Sequence, residues 1–195
     1  VTSLLSVVAP PGAVALSLSD AKAHLRLSGT DDDAYVTALI EAATGYFEDQ
    51  TALKLITQTL LLSLPDWPCD VVLRLPRMPV QSVSSVKYLD GSGTLQTLAG
   101  SAYVVSIEPP QAVVVPASGT VWPMVQTGQP QGVRVEFVAG FGASASNVPE
   151  LVKHGLKFLV AHWYANREPA HGQAMTEAPM AVQSIMQTVR MPVGV

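Results

Sequence analysis

What limits the folds open to this chain is a change of hydrophobic period, from helical to alternating and back again. Val36, Leu39, Ile40, Ala43 and Phe47 fall on one face of a helix, with Thr37, Glu41, Thr44 and Glu48 on the other. From Ile56 the period becomes two: Ile56, Gln58, Leu60, Leu62 and Leu64 alternate with Thr57, Thr59, Leu61 and Ser63 until Pro65 closes the run. The helical spacing returns at Val152, Leu156, Leu159, Val160 and Trp163, with Lys153 and Lys157 on the far side. A helical pattern interrupted and then resumed predicts a helical body with a β-rich insertion.

Local signals set the expected boundaries. A short first helix begins at Ser19, whose hydroxyl can cap free N–H groups, and carries Ala21 and Leu25 up to a stop at Ser28 and Gly29. The second opens at Thr30-Asp31-Asp32-Asp33, which resembles a capping box with acids at the positive end of the helix dipole, and ends between residues 49 and 52. Pro149 opens the third at its first position, where a missing N–H costs nothing, and Glu168-Pro169 ends it. Strands are expected at 56–64, 71–75, 83–89, 102–107, 112–115 and 133–138, with a hairpin turn at Asp90-Gly91-Ser92-Gly93. Strands in succession without helical patterns between them favour an antiparallel sheet or small sandwich.

The predicted class is therefore α+β, a small helical bundle carrying an inserted antiparallel β-sheet or small β-sandwich. Its expected parts are an extended N-terminal arm over residues 1–17, a helical body over 18–54 and 148–168, and a β-rich insertion over 55–147. A flexible link and docking tail follow over 169–195. In that tail Val182, Ile185, Met186 and Val189 form a short amphipathic helix with no core of its own, expected to be mobile in the free subunit and ordered by a partner.

Composition narrows the function. Hydrophobic residues make up 48% of the 195 and charged residues 13%, too greasy for a disordered chain and too sparsely charged for a surface wholly given to water. The net charge of -4, with 11 scattered basic residues, disfavours a protein whose work is neutralising phosphates. Cys69 is the lone cysteine, which rules out an intrachain disulfide or a multi-cysteine metal site. The apolar start has no basic residue before Lys22 and is broken by Pro10-Pro11-Gly12, so it lacks the pattern of a secretory signal, and no run approaches the roughly 18 to 20 apolar residues of a membrane span.

Chemical motifs are weak. Asp31, Asp32 and Asp33 lack calcium-loop spacing, and capping explains them better. His154 and His162 are eight residues apart on one helix, roughly 12 Å along its axis, too far to share one metal directly. Gly140-Phe141-Gly142-Ala143-Ser144-Ala145 imitates a dinucleotide loop, but its helix does not open until Pro149 and no acidic strand end follows. No Gly-x-Ser-x-Gly elbow exists, and Cys69 has no local catalytic partner. No catalytic, cofactor or metal residue is assigned.

Several segments in order resemble the phage head–tail connector family, the adaptor proteins of tailed bacteriophages and phage-like gene transfer agents. They are Leu18-Ser19-Asp20-Ala21-Lys22-Ala23-His24-Leu25-Arg26, the stretch from Asp31 through Ala43, and Ile56-Thr57-Gln58-Thr59. The strongest is Arg74-Leu75-Pro76-Arg77-Met78-Pro79-Val80-Gln81-Ser82-Val83, continuing through Val86-Lys87-Tyr88-Leu89-Asp90-Gly91. Val135-Glu136-Phe137-Val138-Ala139-Gly140-Phe141-Gly142, then Val148-Pro149 and the stretch from Leu159 to Glu168, complete it.

The resemblance implies a structural subunit, not an enzyme, forming a dodecameric ring beneath the portal protein, with stopper or tail proteins on its other side. DNA would pass through without sequence-specific binding, and the chain would reside in the virion neck after a spell in the host cytoplasm. Residues expected at partner interfaces are Tyr164, Arg167, Met180, Val182, Ile185, Met186, Val189, Arg190 and Met191, with Trp163 packed in the core instead. Other readings are a stopper or tail-completion protein, or a hydrolase or carbohydrate-binding module, which would need a concave site with convergent polar groups.

Overall fold

The computed structural model describes residues 3–109, 111–166 and 179–190. The chain divides into two compact units, and neither is continuous in sequence. One contains the helices, from residues 12–56 with 141–166 and 179–190; the other contains the strands, from residues 3–11 with 57–140.

In the helical unit, α1 (Leu18–Leu25) and α2 (Asp33–Thr51) precede the β-rich segment, and α3 (Glu150–Ala165) and α4 (Met180–Val189) follow it. The cap of α1 is Ser17, two residues before the expected Ser19: its hydroxyl oxygen accepts the Asp20 N–H at 3.1 Å. Two nearby serines offer the same chemistry, and the path of the backbone picks between them. The helix ends at Arg26 in the left-handed region, φ 57°, earlier than the Ser28-Gly29 stop.

At α2 no side-chain capping bond forms, so the expected capping box is corrected. Asp33 still places a charge in the first turn and pairs with Lys22, which ties α1 to α2. Val36, Ile40, Ala43 and Phe47 are buried as the periodicity requires, and Leu39 is half-buried. Glu48, expected on the wet side, is buried. One of its carboxylate oxygens accepts the Leu55 N–H at 2.8 Å and the other pairs with Lys54 at 2.6 Å, because the chain turns back over the end of α2.

Pro149 precedes α3 as its cap residue. Val152, Leu156, Leu159 and Val160 are buried, and Trp163 is only half-buried, edge-on to Tyr46 with ring centroids 5.9 Å apart. Gly155 lies against Phe47 of α2 and Ile185 of α4: a Cβ there would come within 3.0 Å of the Phe47 ring and 3.3 Å of the Ile185 methyl. That gap lets three helices approach closely. The expectation that α4 lacks a core is corrected accordingly, for Val182 is fully buried and Met186 nearly so.

The strand unit holds a five-stranded antiparallel sheet in the order β1 (Leu4–Ala9), β2 (Gln58–Leu64), β8 (Val133–Ala139), β4 (Val80–Leu89) and β5 (Leu95–Thr97). A second sheet joins β3 (Leu73–Arg74), β7 (Val113–Pro116) and β6 (Tyr103–Ser106). In β8, Val133, Val135, Phe137 and Ala139 are buried and the residues between them half-buried, the alternation of a sheet with one face on a core. Leu60 and Leu62 of β2 and Val86 of β4 share that core.

Two strands escaped the sequence reading. β1 lies within the segment expected as an arm and pairs antiparallel with β2, Leu5 opposite Leu62; β5 has three residues. The run expected over 71–75 shrinks to β3, because Val71 adopts φ 68°, a region that a β-branched residue rarely enters. Asp90 organises the hairpin between β4 and β5: its carboxylate accepts the N–H groups of Ser92 and Thr94 and the Gln96 amide.

Candidate interaction surfaces

The residues expected at partner interfaces differ in how far the fold buries them. Among the expected interface positions, Val182 and Met186 are buried within the helical unit and Ile185 and Val189 are half-buried. Met180 and Arg190 are exposed. Tyr164 is half-buried, and its hydroxyl donates to the Asp32 carboxylate at the start of α2. Arg167 and Met191 lie outside the described residues.

The outward side of α2 is acidic. Between Asp33 and Thr51, α2 carries only acidic charges; Glu41 and Asp49 are exposed, and Asp31 just before the helix is exposed too. The exposed side of α3 is mixed, with Glu150, His154 and Lys157 lining one shallow depression. His154 on α3 is exposed, Lys157 one turn on makes no ion pair among the described residues, and His24 of α1 lies edge-on to His154 with ring centroids 6.5 Å apart. Phe158 packs against both imidazoles. Burial first, then the charges of His154 and Lys157, hold the His24 imidazole below its ordinary pKa. The one acid on α3, Glu150, is bound by Lys153 at 2.6 Å.

In the strand unit the edge strand β1 is apolar and uncharged, with Leu4, Val7 and Val8 each about half exposed. Edge strands usually carry charges that discourage pairing with another chain, and this one has none. A cavity of about 370 Å³ opens among Leu62, Leu64, Pro68, Val72 and Pro76, with Cys69, Asp70 and Arg74 at its polar part. Arg74 donates to Asp70 at 2.6 Å and holds that carboxyl below the usual range, so the polar part is an ion pair formed within the chain. Beside it Trp67 and Trp122 stack with centroids 4.3 Å apart, and their indole N–H groups bond to the carbonyls of Pro123 and Val71.

Among the described residues no group of three or more His, Cys, Asp or Glu side chains converges to hold a metal ion, and no helix is long and apolar enough to cross a membrane. What the geometry does offer is broad: exposed helix faces and an apolar sheet edge.

Residues 15–79 match the family model described as phage gp6-like head-tail connector protein. No protein of curated function matches the chain. Among solved structures, a chain from the neck of an empty gene transfer agent particle, computed with C6 symmetry, has a TM-score of 0.81 and 26% identity, covering 98% of this chain and 97% of its own. A chain in the virion of a native gene transfer agent particle has a TM-score of 0.79 and 27% identity over the same shares. One from the neck of the native particle, computed with C12 symmetry, has a TM-score of 0.79 and 25% identity, also over 98% and 97%. Resemblance to the head–tail connector family is thus shown from two sides, by a sequence match over residues 15–79 and by a likeness in three dimensions that runs the length of the chain.

Proposed function

We propose that this chain is a structural head–tail connector, a neck subunit that joins the head of a tailed phage or phage-like particle to its tail by mechanical contact. The observation that carries this reading is the full-length likeness to neck chains at a TM-score of 0.81. A fold shared over a short segment would speak only to architecture; here nothing of substance on either chain is left over.

Function as a ring of copies is supported by the C6 and C12 symmetry of those necks. In its finer form the reading has twelve copies beneath a portal, stopper or tail proteins on the far side, and assembly from subunits made in the host cytoplasm. The role is structural rather than catalytic. The mild net charge of -4 suits a channel through which DNA slides without being held. Of the residues expected at an interface, Met180 at the start of α4 and Arg190 at its cap are exposed, and through them the C-terminal segment would touch a partner.

Imaging purified particles with an epitope fused to this chain tests the reading. The label is expected at the neck, and deletion of the gene is expected to leave filled heads that do not join tails. Tailed, infectious or gene-transferring particles assembled without the chain would overturn it.

A further inference from the structure

In the five-stranded sheet, charge is distributed the opposite way from a sheet protected against further pairing. Lys87, Arg134 and Glu136 all lie on the inner strands β4 and β8, whereas the edge strands β1 (Leu-Leu-Ser-Val-Val-Ala) and β5 (Leu-Gln-Thr) carry no charge. An edge that must stay single usually holds lysine or proline to repel another strand. Both edges also expose apolar side chains: Leu4, Val7 and Val8 are each about half exposed, and Leu95 is 42% exposed. The bulge at Val8 interrupts β1 only near its end and leaves Leu4 to Val7 in regular register with β2. In β5, the Thr94 carbonyl accepts the Asp90 N–H at 3.0 Å and the Leu98 N–H donates to the Val86 carbonyl at 2.8 Å. By antiparallel alternation residues 94, 96 and 98 face β4, so Leu95 and Thr97 turn their N–H and C=O groups outward. No backbone group among the described residues takes them up.

We propose, resting on the ring reading above, that β1 of one copy pairs with β5 of the next, so that the sheet continues across each junction of the ring. Closing a ring by rotation requires a front and a back on different sides of the subunit, and β1 and β5 are the two ends of one sheet. Their directions agree as well. Every neighbouring pair from β1 through β2, β8 and β4 to β5 is antiparallel, and four reversals leave β1 and β5 running the same way. A twelfth of a turn changes a strand's direction by no more than that angle, which is comparable with the ordinary twist between neighbouring strands, so the junction is a parallel pair. A different neck protein seated on β1 would leave β5 open, whereas one junction between copies covers both edges. Ring closure then removes the free edges that the composition of β1 and β5 leaves unguarded.

Cross-linking in assembled particles tests the proposal. Cys69→Ser removes the native thiol, and Ser6→Cys with Thr97→Cys places one thiol on each edge; Ser6 and Thr97 are both exposed. Within one copy the two edges are four strand spacings apart, about 19 Å, too far for a bis-maleimide with a two-carbon spacer. Such a reagent is expected to give a ladder of chain multiples on a denaturing gel, and none when either new cysteine is omitted. Independently, Leu4→Lys and Leu95→Lys are each expected to lower the number of copies per neck about tenfold, because a lysine on either edge repels the added strand. Leu4→Thr and Leu95→Thr, uncharged and suited to a strand, are expected to stay near the wild-type number. Unchanged circular dichroism of the purified variants checks that each one folds.

Necks that contain the doubly substituted chain but yield no ladder would overturn the junction. So would dimers formed by Ser6→Cys alone, which place β1 against β1. Loss of copies with Leu4→Lys but not with Leu95→Lys would assign β1 to a different neck protein and also refute the pairing. Absence of the wild-type chain from necks would remove the underlying ring reading; its presence without a ladder removes only this junction.

Discussion

Glu48 is the residue whose replacement separates two contributions most cleanly. It is buried, one carboxylate oxygen accepts the Leu55 N–H at 2.8 Å, and the other meets Lys54 at 2.6 Å. Leu55 is itself fully buried, so Glu48→Ala strands an N–H with no acceptor, at about 1–3 kcal/mol. It also leaves the Lys54 ammonium, 14% exposed, without its counter-charge, which brings the sum to about 3–5 kcal/mol, the range for breaking a buried pair. Glu48→Gln keeps an oxygen for the Leu55 N–H and removes only the ion pair, which partial exposure discounts to about 1–2 kcal/mol. Urea unfolding followed at 222 nm, where the helices dominate, measures both. Alanine is expected to cost about 2 kcal/mol more than glutamine, and that difference is the backbone bond. Equal losses for the two variants would refute the role given to Leu55; no loss in either would refute the burial of the pair.

Val182 is fully buried where α4 meets its neighbours, so Val182→Ala is expected to cost about 2–3 kcal/mol in helical-unit stability and to speed amide exchange across residues 180–189, measured by mass spectrometry. Exchange there already at the unprotected rate in the wild type would contradict the docking of α4. His24, with its pKa held below 6.5 by burial and then by His154 and Lys157, takes up fewer protons folded than unfolded. The stability it contributes is intact above about pH 6.5 and falls as pH drops toward the folded value; denaturant titrations across that window are expected to show a slope that His24→Gln flattens. Asp90 has its pKa pushed down to about 2 by hydrogen bonds from Ser92, Gln96 and Thr94. Its contribution to the hairpin is therefore present above pH 3.8 and lost as pH falls toward 2, and Asp90→Ala is expected to raise amide exchange at Ser92 and Thr94 at neutral pH.

The course of the chain was legible wherever burial imposes a period. The stripes of α2 and α3 and the alternation of β2 and β8 each follow from one face meeting a core, so local sequence suffices to find them. What escaped depends on a distant partner. β1 reads Leu-Leu-Ser-Val-Val-Ala with no polar alternation to mark it, and pairing with β2, about fifty residues on, is what makes it a strand. Glu48 belongs on the wet side by its spacing, and is buried only because Leu55 brings an N–H back to it. The core under α4 is invisible in α4 itself; the signal is in α3, where Gly155 interrupts a run of helix formers and leaves a gap that Phe47 and Ile185 border.

The candidate interface was illegible for a related reason. Greasy residues drew the sequence reading toward Val182 and Met186, but hydrophobicity alone cannot tell a side chain meant for a neighbour from one buried within its own subunit.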